Sequence, residues 1–181
     1  TLNTVSALMD EHPADARKVL SRLGRLLRNT LDKTERDTVP LEHELDHIRD
    51  YLDIESIRFR DRLHVSWEVP TALLGIQVPS MVLQPLVENS IKHGPDATTD
   101  RVEITVRGER NGGHLTLRVE DNGKGCPDTE RAMTNGGIGL RNVRERMKLL
   151  YGEHGALTIA SPEGRGFVAS VSLPLVTELN N

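Results

Sequence analysis

"RVEITVRGERNGGHLTLRVED", residues 101 to 121, holds two runs that alternate apolar and polar residues around Asn111-Gly112-Gly113. A period of two marks a half-buried strand, and Asn-Gly-Gly supplies a tight turn, so the stretch predicts a β-hairpin. A second hairpin is expected in "ALTIASPEGRGFVASVSLPL", residues 156 to 175, and a single half-buried strand in "LHVSWEV", where Leu63, Val65, Trp67 and Val69 alternate with polar partners. Between these lie a helix from about Pro79 to His93, a polar, Gly-bearing loop from Asn122 to Gly137, and a helix from about Gly139 to Tyr151. Helices alternating with antiparallel pairs predict an α+β fold: an α/β sandwich with one mixed sheet and helices on one face, rather than a parallel doubly wound sheet.

Working toward the N-terminus, the period changes near residue 60. Leu41, Leu45, Ile48, Leu52 and Ile57 predict a helix to about Phe59, preceded by a polar linker from Lys33 to Pro40. Ala16, Val19, Leu20, Leu23, Leu26, Leu27 and Leu31 form the stripe of an earlier helix that starts at Pro13 and ends near Asp32. Leu2, Val5, Leu8 and Met9 predict the tail of another, closing near Glu11. Two regions follow: helical residues 1–60, and an α+β domain over 61–181.

Composition narrows the function classes. A formal charge of -4 gives no basic footprint for nucleic acid or anionic lipid, and one cysteine, Cys126, excludes an intrachain disulfide framework. No apolar run approaches the roughly 18 to 20 residues of a membrane helix. A chain that opens at Thr1, without Met and inside a helical pattern, reads as a piece of something longer, and a reducing, cytoplasmic setting is expected.

Three clusters carry chemistry. In "LVENSIKHG", residues 86 to 94, Leu86, Val87 and Ile91 belong to a buried stripe with Leu83, whereas Asn89 and His93, four apart, stack on another edge. Lys92 lies beside them and is placed to pair with Glu88. The plain alternative is a solvated helix face ending in a histidine. In "EDNGKGCP", residues 120 to 127, Asp-Asn-Gly suits a simple turn, but glycines on both sides of Lys124 leave the backbone bare for a flat ligand or phosphate. In "NGGIGLRNVRERM", residues 135 to 147, glycines lead into a helix whose first N–H groups suit an anion. The spacing is neither a Walker loop nor a dinucleotide fingerprint.

Taken in order, "LVENSIKHG", "DNGKGC" and "GGIGLRN" resemble the N box and two glycine boxes of the GHKL superfamily, whose Bergerat-fold domains bind ATP in gyrase, Hsp90, MutL and histidine kinases. Within it, "IRDYLDIESIRFRDRL" followed by "VPSMVLQPLVENSIKHG" resembles the LytS-like sensor histidine kinases. The resemblance implies ATP and Mg2+ as cofactors. Asn89 would offer its side-chain oxygen to Mg2+, with Lys92 and His93 near the phosphates. Asp121 would accept the adenine amino hydrogen, and Gly123 and Gly125 would let the base lie against backbone. Gly137, Ile138, Gly139 and Leu140 would border the triphosphate, and Pro127 to Gly136 would form the ATP lid. Glu88 is the one candidate for a catalytic role.

The resemblance further implies a protein-histidine kinase that passes phosphoryl from its own His to a response regulator, as a homodimer whose seam is the stripe from Val19 to Leu31, anchored to a membrane through segments outside this chain. By its register the phosphoacceptor His falls two positions before Thr1. Alternatives are a non-catalytic nucleotide-binding regulatory module and an anti-sigma-type Ser kinase. Pro85 stands where gyrase-like members carry their hydrolytic Glu, which disfavours a stand-alone ATPase. Phe167 follows Gly166 where the family usually has Thr, and Cys126 replaces a commoner aliphatic residue. His43 and His47 stand four apart on the third helix, a spacing open to a metal, but without an evident third ligand.

Overall fold

The computed structural model describes residues 37–93, 101–135, 137–162 and 166–175, together with Gly24. Of the expected helices before Asp32, with the proposed dimer seam, only Gly24 is among the described residues, where it is helical; the rest lies outside them. The elements in chain order are β1 (Thr38–Pro40), α1 (Leu41–Phe59), β2 (Leu63–Glu68), β3 (Gln77–Pro79), α2 (Gln84–His93), β4 (Val102–Asn111), β5 (His114–Asp121), α3 (Thr129–Asn135), α4 (Ile138–Tyr151), β6 (Ala156–Ala160) and β7 (Phe167–Pro174).

Five strands form one sheet in the order β2-β4-β5-β7-β6. β4 and β5 make the first predicted hairpin, with Asn111 opposite His114, and β6 and β7 make the second. β2 runs parallel to β4, so the chain must cross over between them, and it does so through β3 and α2. The sheet is therefore mixed, as the alternation of single strand and hairpins predicts.

The strand alternation sets which side is buried. Val102, Ile104, Val106, Leu115, Leu117, Val119, Ala169, Val171 and Leu173 are buried together with Leu45 and Ile48 of α1, Leu86 and Val87 of α2, and Val143 and Met147 of α4. One continuous core thus joins the sheet to three helices, α1 included. Arg107 lies across the sheet from Glu68, its Nη2 2.7 Å from Oε2. With both partners solvated, such a pair contributes little to stability, so packing holds the sheet.

Three local features differ from the sequence reading. The polar linker ends in a strand: β1 pairs antiparallel with β3, Val39 opposite Val78, and both valines are buried. Three-residue strands are too short to show a period. The helix expected from Pro79 begins at Gln84, because residues 80–83 form a turn with Met81 at φ +61°. That turn is fixed by groups distant in the chain. Glu44 of α1 accepts the N–H groups of Met81 and Leu83 at 2.9 and 3.2 Å, and Arg146 of α4 donates to the Ser80 carbonyl. Third, the loop before Gly137 contains α3, whose first turn is capped by Asp128: its Oδ1 accepts the Arg131 N–H at 2.8 Å.

Candidate functional site

A cavity of about 300 Å3 opens where α2, the end of β5, α3 and the start of α4 converge. Its walls follow from the period of each element. On α2, Leu86, Val87, Ser90 and Ile91 are buried, which leaves Asn89 and His93, one turn apart, to line the cavity. The same geometry turns Lys92 away. Its Nζ pairs with Glu88 Oε2 at 3.1 Å on the exposed side, while Glu88 Oε1 accepts from Gln84 Nε2 at 2.8 Å. Gln84 Oε1 in turn lies 2.7 Å from Nε2 of His47, which is 1% exposed. Both carboxylate oxygens of Glu88 are thus held within a side-chain row linking α1 to α2.

Opposite α2, Asp121 closes β5. It is 8% exposed; Oδ1 accepts the Gly123 N–H at 3.0 Å, and Oδ2 is buried with no hydrogen-bond partner among the described residues. Burial pushes its carboxyl above the ordinary Asp value, and polar groups of Ser90, Gly123 and Phe167 act in the opposite direction, as does His93. A buried acceptor without a partner costs roughly 1–3 kcal/mol, so a ligand N–H placed there would recover that cost.

The loop after Asp121 is held from three sides. Asn122 Oδ1 accepts the Glu103 N–H and its Nδ2 donates to the Arg101 carbonyl, both at 2.9 Å. The Gly123 carbonyl accepts the Gly166 N–H at 2.8 Å, and the Cys126 N–H donates to Ser161 Oγ at 2.8 Å. Lys124, Gly125 and Cys126 then face the cavity, whereas Gly123 is buried behind it. Gly166 has φ +65°, and a Cβ there would sit 2.7 Å from the Asp121 carbonyl oxygen. Gly166→Ala should therefore cost about 2 kcal/mol of stability and displace Asp121, to be read as a lowered denaturation midpoint with weakened ligand binding.

At the opposite wall, Gly137 and Leu140 line the cavity at the start of α4. No side chain caps this helix, so its first N–H groups stay open toward an anion. Ile138 instead is 70% exposed. Gly139 faces α2, where a Cβ would meet Cβ of Pro85 at 3.2 Å, so the two helices approach closely through a glycine and a proline. Of the residues expected at the site, Asn89, His93, Asp121, Gly125, Gly137 and Leu140 are brought together. Glu88, Lys92, Gly123, Ile138 and Gly139 lie beside or behind the cavity.

Lys124, Cys126, Pro127, Ala132 and Phe167 line the cavity as well, outside that expected set. Phe167, the departure after Gly166, starts β7 opposite Asp121 and lends a buried ring to the cavity wall. Ala132 lines it from α3, a helix the sequence reading left as loop. Asp128 immediately before Thr129 was a legible capping signal. The His43 and His47 pair gains no support as a metal site: among the described residues, no group of three or more His, Cys, Asp or Glu is placed to hold a metal ion.

Comparison with known proteins identifies the family. The family described as histidine kinase-, DNA gyrase B-, and HSP90-like ATPase matches residues 77–177, and the histidine kinase family matches residues 1–63. The sensor protein LytS of Enterococcus faecalis is 32% identical over 188 residues, covering 98% of this chain and 32% of that protein. The sensor histidine kinase BtsS of Escherichia coli K12 is 34% identical over 160 residues, covering 88% of this chain and 28% of its own length. The chain thus spans about a third of the curated relatives it matches. Among solved structures, the histidine kinase domain of the Erythrobacter litoralis EL346 blue-light activated histidine kinase aligns with TM-score 0.62 at 21% identity, covering 87% of this chain and 75% of that one. Acinetobacter baumannii histidine kinase AdeS aligns with TM-score 0.59 at 16% identity, over 90% and 82% of the two chains. At these identities the structural likeness speaks to the fold. The matched family and the sensor kinase relatives lead to one conclusion: this chain belongs to the histidine kinase-, DNA gyrase B- and HSP90-like ATPase family.

Proposed function

We propose that the chain is the kinase region of a two-component sensor histidine kinase, binding Mg2+-ATP in the cavity between α2 and α4. The observation that carries this reading is the buried, partnerless Oδ2 of Asp121 at one wall of a cavity whose other wall is the uncapped start of α4. An adenine amino group satisfies the first, and phosphates suit the second. The residues present fit both groups. Asn89 is a neutral oxygen donor on the cavity, and Mg2+ bound with phosphates usually takes only one or two protein ligands, so the lack of a carboxylate cage among the described residues suits this ion. When bound, the ion neutralises phosphate charge; Asn89 holds it, and Asp121 orients the base.

In this reading Asn89, His93, Asp121, Gly125, Gly137 and Leu140 contact the nucleotide, and Pro127 to Gly136 cover it. Lys92 reaches the phosphates only by leaving Glu88, so Glu88 acts as the partner that parks Lys92. Gly123 and Gly139 shape the site from behind, and Ile138 borders its mouth. Residues 61–181 form the ATP-binding unit; residues 1–60 supply the connecting helix α1 and part of a dimerisation region. The phosphoryl group goes to a His two positions before Thr1, and from there to the receiver domain of a response regulator, on the cytoplasmic side of a membrane-anchored homodimer. The protein's part in such transfer is positioning and charge neutralisation. Pro85, packed on Gly139, leaves no base at that position to activate water.

The test is to extend the chain upstream through the expected phosphoacceptor segment and incubate it with γ-labelled ATP. Acid-labile, alkali-stable label is expected; its absence sinks the kinase reading. Asn89→Ala should weaken ATP binding about tenfold in Mg2+, as expected for loss of a charge-assisted contact, and much less in chelator, measured by titration calorimetry. Equal losses in both conditions would move Asn89 off the metal.

A further inference from the structure

A row of side chains runs from the buried face of α1 to the edge of α2 beside the cavity. Gln84, Glu88 and Lys92 stand four apart on one edge of α2, and the neighbouring edge carries Asn89 and His93, which line the cavity. His47, 1% exposed on α1, anchors the far end. The contacts measure 2.7 Å from His47 Nε2 to Gln84 Oε1, 2.8 Å from Gln84 Nε2 to Glu88 Oε1, and 3.1 Å from Lys92 Nζ to Glu88 Oε2. Their direction is fixed by chemistry. The Glu88 carboxylate only accepts, so the Gln84 amide must turn its NH2 to Glu88 and its oxygen to α1, where His47 Nε2 donates. Tyr51, one turn beyond His47, is buried as well. Its hydroxyl is pushed above the ordinary range by burial and, beyond that, by the charges of Glu55 and Glu88, with Arg58 opposing. The Glu88 carboxylate is therefore placed against α1 and answers to it as well as to its own helix.

We propose that Gln84 is a positioning residue for the nucleotide site: tied to His47 of α1, it holds Glu88 where Glu88 keeps Lys92 from the phosphates, so the setting of α1 tunes the affinity for ATP. The inference rests on the reading of this cavity as the nucleotide site. A solvated lysine–glutamate pair by itself is weak, because two long side chains must be ordered to make it. Gln84 lowers that cost by ordering the carboxylate from the other side, in a half-buried contact. Lys92 must give up the pair to meet a phosphate, so a firmer hold on Glu88 lowers the affinity for the triphosphate. Adenosine has no phosphate, and its affinity is independent of the row. A shift of α1 that draws His47 from Gln84 frees Glu88 to turn, and Lys92 with it. The helix that precedes the ATP-binding unit thus has a route to the site that does not touch the nucleotide.

The test measures ATP and adenosine affinity by titration calorimetry in the wild-type chain and its variants, with a thermal melt of each sample. Gln84→Met keeps the length of the side chain and loses the amide; it is expected to bind ATP about twofold more tightly, and adenosine as before. Glu88→Gln, which removes the charge that holds Lys92, should gain about threefold, the size of a solvated i,i+4 pair. Adding Gln84→Met to Glu88→Gln should bring no further gain, and in a Lys92→Met background Gln84→Met should bring none at all. A merely structural role for Gln84 would instead lower the affinity for both ligands, with or without Lys92. The inference is wrong if Gln84→Met leaves ATP affinity unchanged or lowers it, if adenosine moves in step with ATP, or if the gain survives in Lys92→Met. Should Gln84→Met melt below the assay temperature, Gln84→Ala is held to the same outcomes. A wild-type chain that binds neither ligand overturns the nucleotide reading and this inference with it, whereas one that binds ATP without these differences overturns this inference alone.

Discussion

Asp121→Asn is expected to raise the dissociation constant for ATP by about thirtyfold, while the melting temperature moves by only a few degrees. Asn has the shape of Asp, so its Oδ1 can still accept the Gly123 N–H that Asp121 accepts at 3.0 Å. The atom that changes is Oδ2, buried without a hydrogen-bond partner among the described residues on a side chain that lines the cavity. In the proposed reading the oxygen accepts an adenine amino hydrogen, whereas an NH2 group would meet that amino group donor to donor. Loss of a buried hydrogen bond together with an unsatisfied group costs roughly 2 kcal/mol, which is about thirtyfold in affinity. Stability should change little, because the variant removes a buried charge as well as a buried acceptor. Titration calorimetry and a thermal melt of the same samples separate the two effects. Wild-type affinity with the melt unchanged would clear Asp121 of any contact with the base.

The same residue gives a pH dependence of defined sign. Burial raises the folded-state value of Asp121 above the ordinary, unfolded value of about 3.9. In the window between the two values the folded protein holds a proton that the unfolded chain has lost. The contribution of Asp121 to stability is therefore most favourable below that window and declines as pH rises through it. Binding runs the other way: the ionised carboxylate is the stronger acceptor, so ATP affinity should fall on acidification through the raised value. Asp121→Asn should lose both trends. A wild-type affinity flat across that window would mean that Asp121 does not bear on the ligand.

How much of this was legible depends on the distance over which each feature is decided. The sheet was legible because alternation in β2, β4, β5 and β7 is local, and because Asn111-Gly112-Gly113 specifies its own turn. The candidate site was named from three separate motifs, and the fold brings one or more residues from each to the cavity: Asn89 and His93, Asp121 and Gly125, Gly137 and Leu140. What the motifs could not convey is facing. Lys92 and His93 are adjacent in sequence, yet only His93 lines the cavity, because Lys92 is turned toward Glu88. Phe167 likewise read as a departure from the usual Gly-Thr, whereas its strand position opposite Asp121 makes it part of the wall. The least legible residues were those of α1. Its leucine stripe predicts a helix, but nothing local indicates that Glu44 and His47 reach across 37 to 39 residues to the start of α2.

Glu44→Ala is accordingly expected to have the largest effect on stability, a loss of about 4 kcal/mol, and to carry nucleotide binding down with it. Glu44 is fully buried, and its two oxygens accept the N–H groups of Met81 and Leu83 in the turn that launches α2. A helix start leaves several N–H groups unsatisfied, and a carboxylate is the acceptor best suited to that positive end. Truncation strands both donors away from water at roughly 1–3 kcal/mol each, and opens a void beside Leu83 and Leu41 in the core. The turn also holds Met81 at φ +61°, a strained value for a non-glycine residue that persists only while its surroundings impose it. Once released, the turn can wind into α2 from Pro79, as the sequence pattern by itself prefers, and Asn89 and His93 then leave their facing position. Glu44→Gln keeps one acceptor oxygen and should recover part of the loss, about 2 kcal/mol of it. Denaturant melts of the three proteins give the stability order, and ATP titration well below the melting range tests the link to the site. If Glu44→Ala is destabilised yet binds ATP with wild-type affinity, the turn contributes to stability but does not aim α2. The coupling from α1 to the N box would then have to pass through His47 and Gln84.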